Sequence, residues 1–167
     1  MSQTHFKGEP LPLLGTLPKV GDLAPDFSLA AGDLSELTLA DLRGSKVVLN
    51  IFPSIDTPTC AASVRAFNEK AASMKNTKVV CISADLPFAA SRFCELEGLK
   101  NVQHASTFRD PSFMRDYGVA IAEGPLVGLS ARSVVVLNEE GIVLYVELVN
   151  ELSDEPDYAA VLAELAQ

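Results

Sequence analysis

The chain has 167 residues, 48% of them hydrophobic and 21% charged, with a formal net charge of −9. A domain of this size buries roughly 70% of its unfolded surface, enough for a core that needs neither metal nor disulfide staples. The negative field disfavours phosphate backbones and anionic membranes as partners, and no apolar run approaches the roughly 18 residues of a membrane span.

At the amino terminus, the apolar stretch Leu11 to Leu17 is interrupted by Pro10, Pro12 and Pro18 and lacks the features of a secretory signal. Three cysteines are too few, and odd in number, for a secreted disulfide framework. The expected compartment is the cytoplasm, where a disulfide is more often transient and catalytic than structural.

Turn residues at Lys7-Gly8-Glu9-Pro10 and Gly21-Asp22 predict a hairpin over residues 1–20, ahead of the main body. Asp26 to Leu29 and Glu36 to Leu39 read as short strands around Gly32-Asp33. Lys46 to Phe52 is a near-continuous apolar run, the pattern of a strand buried on both faces. From Thr57 to Lys75 the spacing of Cys60, Val64, Phe67, Ala71 and Met74 puts them on one helical face. Lys78 to Ser83 is a second buried strand, and a helix follows from Pro87 to the terminating Gly98. Val102 to Ala105 is a short strand, and Asp110 to Tyr117 a short helix with Asp110 as cap and Pro111 at its first position. Arg132 to Leu137 and Ile142 to Leu148 flank Asn138 to Gly141 as an antiparallel hairpin, and Glu155 to Ala166 closes the chain as a helix. That order predicts an α/β fold of thioredoxin-like type: a mixed central sheet flanked by helices, in one domain over 1–167 with an N-terminal β-hairpin.

The chemistry concentrates where the first buried strand runs into the first long helix. Pro58 falls at the helix start, Thr57 is placed to cap it, and Cys60 then lies in the first turn, near the positive end of the dipole. Thiols so placed can titrate as low as about 3.5–7.5, and the thiolate is the reactive form. A cysteine on an apolar helix face is more often inert core. The combination of Pro53, Thr57 and Cys60 on a strand-to-helix turn reverses that preference.

Here the sequence resembles the peroxiredoxin superfamily, and within it the bacterial thiol peroxidases. The likeness extends through Cys81 to Phe88, Ser91 to Cys94, Tyr117 to Ile121, Gly124-Pro-Leu126, Ala131 to Val136 and Glu155 to Tyr158. It implies a thioredoxin fold, homodimers, no cofactor, and reduction by thioredoxin. It carries the peroxidatic cysteine, threonine, proline and arginine onto Cys60, Thr57, Pro53 and Arg132. Thr59 is a departure, since the family more often has an apolar residue before the cysteine. In the reaction so implied, Thr57 hydrogen-bonds substrate and sulfur, and Arg132 stabilises developing negative charge. Pro53 fixes the turn and excludes water, and the first-turn amides hold the leaving oxygen.

A second thiol can condense with the sulfenic acid that peroxide attack leaves. Cys81 sits in a buried strand pattern and reads as inert core; Cys94 lies near a helix end beside Arg92, Glu95 and Glu97. The resemblance assigns the resolving role to Cys94. Sequence gives no distance, and a bridge needs Cα atoms within about 7 Å, so local unwinding is expected on oxidation. Phe88, Leu126, Val127 and Leu129 fit an apolar pocket wall for alkyl or lipid hydroperoxides, and equally a core or a dimer interface.

Other chemistries fit less well. No Cys-x-x-Cys pair exists for a metal or a disulfide oxidoreductase, and His5 and His104 are far apart. Ala66 stands where a cysteine phosphatase needs its arginine. The rival from another class is a redox-responsive binding protein or holdase that uses the same thiol.

Overall fold

The computed structural model describes residues 2–167; Met1, the first residue of the expected extension, lies outside the described residues. Strands β1 (Gln3–Phe6) and β2 (Glu9–Leu14) form the expected amino-terminal hairpin. Lys7 and Gly8 between them both have positive φ, 53° and 82°, the backbone of a type I′ turn. Next come β3 (Ser28–Ala31), β4 (Glu36–Thr38), β5 (Lys46–Ile51), α1 (Pro58–Ala71), β6 (Thr77–Ser83), α2 (Pro87–Glu97) and β7 (Gln103–Ser106). Then follow α3 (Ser112–Asp116), β8 (Ala120–Ile121), β9 (Ser133–Leu137), β10 (Val143–Leu148) and α4 (Tyr158–Leu165).

Seven strands make one sheet in the order β10-β9-β5-β6-β7-β3-β4, and β1, β2 and β8 make a second. The central β5–β6 and β6–β7 pairs are parallel, whereas β9, β10, β3 and β4 join antiparallel. This mixed, helix-flanked sheet is the thioredoxin-like α/β architecture read from the sequence. The period of two along β5 and β6 divides the core. Val47, Leu49, Ile51, Val80 and Ile82 face one apolar cluster with Phe27, Phe113 and Tyr117. Val48, Phe52, Val79 and Cys81 face another with Cys60, Val64, Phe67 and Val161. The stripe read along α1 is therefore its core face, and it seats the helix start at the carboxyl end of β5.

Several boundaries differ from expectation; α4, for one, starts at Tyr158 with Asp157 as its cap, three residues after Glu155. Helix α1 ends at Ala71, although Ala71 and Met74 still pack on the second cluster. Helix α3 begins at Ser112 with Pro111 as its cap, because the Asp110 carboxylate folds back to accept from the amide and hydroxyl of Ser112. Among the described residues no helix is long and apolar enough to cross a membrane.

After β2, Gly15 has φ +87°, and a Cβ there would lie 1.9 Å from the Arg115 carbonyl oxygen. Gly8 shares the positive φ, yet a Cβ there meets nothing within 4 Å. Gly15→Ala is expected to cost roughly 2–5 kcal/mol and Gly8→Ala roughly 1–2. Chemical denaturation of the two variants checks this; equal costs would refute the close approach.

Candidate active site

Thr57, extended at φ −123° and ψ 148°, is the residue before α1, and Pro58 takes the first helical position. The first backbone bond of the helix runs from the Ala61 amide to the Thr57 carbonyl at 2.9 Å. The Thr59 and Cys60 amides precede it and have no intrahelical acceptor. Capping by the Thr57 side chain, expected from sequence, is not what forms: its hydroxyl donates instead to the Ser54 carbonyl at 2.9 Å. The competing acceptor is local, and the bond braces the loop on which Pro53 is buried. The unusual Thr59 hydroxyl donates to the Ser153 carbonyl at 3.1 Å, tying the helix start to the loop after β10.

Arg132 precedes β9 and is only 1% exposed. Its Nε and Nη2 donate to the Leu152 carbonyl at 3.1 and 2.7 Å, and Nη2 stands 3.3 Å from Cys60 Sγ. Nη1 is buried with no partner. Among the described residues the one salt bridge joins Arg65 to Glu97, so no carboxylate neutralises Arg132. Burying an unpaired charge is costly; the group in contact that can carry the opposite charge is the sulfur.

These groups share one cavity of about 410 Å³, walled by Phe6, Pro53, Thr57, Cys60, Leu126, Leu129, Arg132 and Leu152. Cys60 is recessed at its base and has no accessible surface of its own. Of the four apolar residues named from sequence, Leu126 and Leu129 line it. Phe88 and Val127 do not; they are 67% and 55% exposed. Phe6 and Leu152 were missed. Both lie far from the cysteine in sequence, and only hairpin docking brings them in: the Leu152 amide donates to the His5 carbonyl at 2.8 Å.

The structure brings Cys60, Thr57, Pro53 and Arg132 together, and leaves Cys94 apart. Cys94 is half-buried in the last turn of α2, in another recess with Gly98, Leu99 and Lys100. All three cysteines are free thiols. Burial pushes the Cys94 thiol up, and pushes Cys81, against which only the Asn50 amide offers a hydrogen bond, up to about 12.

Residues 19–162 match the Redoxin family model. The chain belongs to the Redoxin family. It is 53% identical to the thiol peroxidase of Corynebacterium glutamicum, over 99% of each chain. The solved structure of a peroxiredoxin-like protein from Aquifex aeolicus superposes with TM-score 0.94 at 40% identity, covering 99% of this chain and 96% of that one. A thiol peroxidase from Chromobacterium violaceum gives 0.88 at 25% identity, covering 98% and 95%. The protein is thus a peroxidase of peroxiredoxin type within this family, as the sequence motifs imply.

Beneath the loop lies a buried histidine. The Ser83 hydroxyl donates its one proton to Asp85 Oδ2 at 2.6 Å, so His104 Nε2, 3.1 Å away, is the donor toward Ser83. Burial lowers His104 from 6.5 to about 4, with Asp85 opposing. The folded state then binds fewer protons than the unfolded state between these values, so stability falls as pH drops from about 6.5 to about 4. The loss from this group is of order 2–3 kcal/mol. Thermal melts of wild type and His104→Gln across that window test it: the variant is expected to show a flatter dependence, and identical slopes would refute the assignment.

Proposed function

We propose that the enzyme reduces hydroperoxides at Cys60, organic ones in preference to hydrogen peroxide, with Cys94 resolving the oxidised sulfur and thioredoxin restoring both thiols. The 3.3 Å contact between Arg132 and the Cys60 sulfur, at the base of an apolar cavity, carries this reading. In the first step the ionised sulfur attacks one peroxide oxygen. The S–O bond forms as the O–O bond breaks, and the other oxygen leaves as an alkoxide that takes up a proton. Arg132 Nη1 and the first-turn amides supply donors for the charge that develops. Thr57, on the same wall, accepts a hydrogen bond from the incoming peroxide while its own proton stays on the Ser54 carbonyl. Pro53 keeps water from the sulfur.

The Cys94 thiol then displaces hydroxide from the sulfenic acid, giving a disulfide and water. A dithiol, here assigned to thioredoxin, reduces that disulfide by exchange. Because Cys94 opens into a different recess, closing the bond requires the end of α2 and the start of α1 to leave their present positions. We further propose a homodimer working in the cytoplasm, in keeping with the family resemblance.

Peroxide consumption coupled to thioredoxin and its reductase tests the assignments. Cys60→Ser is expected to abolish turnover, Cys94→Ser to permit oxidation of Cys60 without thioredoxin-linked recycling, and Cys81→Ser to remain near wild type. Recycling lost in Cys81→Ser and kept in Cys94→Ser would overturn the pairing.

The apolar wall gives a separate expectation. Trimming Phe6 to alanine removes part of the surface that covers an organic group, so kcat/KM for a bulky organic hydroperoxide should fall about tenfold. That for hydrogen peroxide should change by less than about threefold, since it does not reach the wall. Equal losses for both substrates would argue against the wall as the source of preference.

A further inference from the structure

One carboxylate holds together the two segments that carry the reacting thiols. Asp85 lies in the short connection between β6 and α2. Its Oδ1 accepts from the Ser54 hydroxyl at 2.8 Å, and its Oδ2 from the Ile55 amide at 2.7 Å and the Ser83 hydroxyl at 2.6 Å. Its own carbonyl accepts from the Ser106 hydroxyl at 2.5 Å, which anchors the connection to β7. Asp85 takes part in no salt bridge among the described residues, so hydrogen-bond donors alone satisfy its charge. Two of those donors, Ser54 and Ile55, belong to the loop that enters α1, and the Ser54 carbonyl in turn receives the Thr57 hydroxyl.

The other end of the connection opens α2, where Leu86 precedes the helix and Pro87 starts it. Between the loop and α2 runs a groove of about 530 Å³, with Ser54, Ile55 and Asp85 on one side and Ala89, Phe93 and Leu96 on the other. Asp85 and the two loop residues bonded to it, Ser54 and Ile55, all line this groove. These bonds fix how the Cys60 loop sits against the helix that bears Cys94.

We propose that Asp85 is a positioning residue with opposite effects on the two half-reactions: it holds the Ser54–Thr57 loop in the geometry for peroxide attack, and its bonds to Ser54 and Ile55 must part before Cys94 can reach Cys60. This rests on Cys60 as the peroxidatic and Cys94 as the resolving cysteine. A substitution that frees the loop therefore slows oxidation and hastens disulfide closure. A general loss of packing would slow oxidation with no such gain in the second step.

The chain has no tryptophan, so the steps are best followed by rapid quenching, alkylation of remaining thiols and mass measurement. In Asp85→Asn one of the two acceptor oxygens becomes an NH2 and the charge is lost, so Ile55 N–H and the Ser54 hydroxyl no longer both donate to a carboxylate, weakening the clamp with little change in volume. Oxidation of Cys60 by an organic hydroperoxide, read in a Cys94→Ser background, is expected to slow about tenfold, and disulfide closure in the parent background to quicken about threefold. Ser54→Ala, which removes the Oδ1 bond together with the acceptor of the Asp56 amide but leaves the Ile55 bond to Oδ2, should shift both steps in the same directions by less, and covers the case in which Asp85→Asn folds poorly. Both steps unchanged in the two variants, or both slowed together, overturns the proposal. Its failure is distinct from failure of the thiol assignments, since those are read from the cysteine variants with Asp85 intact.

Discussion

The guanidinium of Arg132 is buried, tied by two N–H groups to one backbone carbonyl, and in contact with the Cys60 sulfur. Removing a cation from water without a carboxylate beside it is unfavourable. The surrounding structure must compel that placement, and much of it can be understood as doing so. The carboxyl end of β5 delivers the loop and the start of α1 to one side of the guanidinium, while β9, paired antiparallel to β5, delivers Arg132 to the other. The sheet register thus brings sulfur and cation together across a long separation in sequence.

The amino-terminal hairpin belongs to this arrangement more closely than its position in the chain implies. The Leu152 carbonyl that fixes Arg132 lies on a loop held by the hairpin: Glu151 accepts from the Lys7 and Gly8 amides, and Thr4 donates to the Val149 carbonyl at 2.8 Å. The same docking sets Phe6 into the cavity wall. The hairpin therefore both supports the acceptor that orients the cation and supplies apolar surface to the cavity wall. Leucine and phenylalanine side chains line the cavity beside the guanidinium, and charge interactions strengthen where water is excluded.

Much of this was legible in the sequence because its signals are local. Buried strands declare themselves as apolar runs, so β5 and β6 fall within a residue of where they were read. The stripe through Cys60, Val64 and Phe67 gave the buried face of α1, and Pro58 its start. Signals that depend on competition between nearby partners were less reliable. Thr57 has a capping side chain by type, yet the Ser54 carbonyl captures its hydroxyl; Asp110 caps by type, yet closes a tight turn one residue early. Contacts set by tertiary docking left no trace: Phe6 and Leu152 look like ordinary apolar residues, and nothing in Ser83 to Leu86 announces that Asp85 reaches across to Ser54 and Ile55. Phe88 and Val127 show the converse, apolar residues that the fold leaves outside.

If the buried cation serves the sulfur, Arg132→Met, which keeps much of the side-chain volume but removes the charge, must slow the attack on peroxide. The second-order rate constant for oxidation of Cys60 by an organic hydroperoxide should fall on the order of a hundredfold or more, the usual scale for loss of a preorganised charge-stabilising donor. Far-ultraviolet circular dichroism should be unaltered. A rate constant within twofold of wild type in a folded variant would mean that the cation does not serve the sulfur.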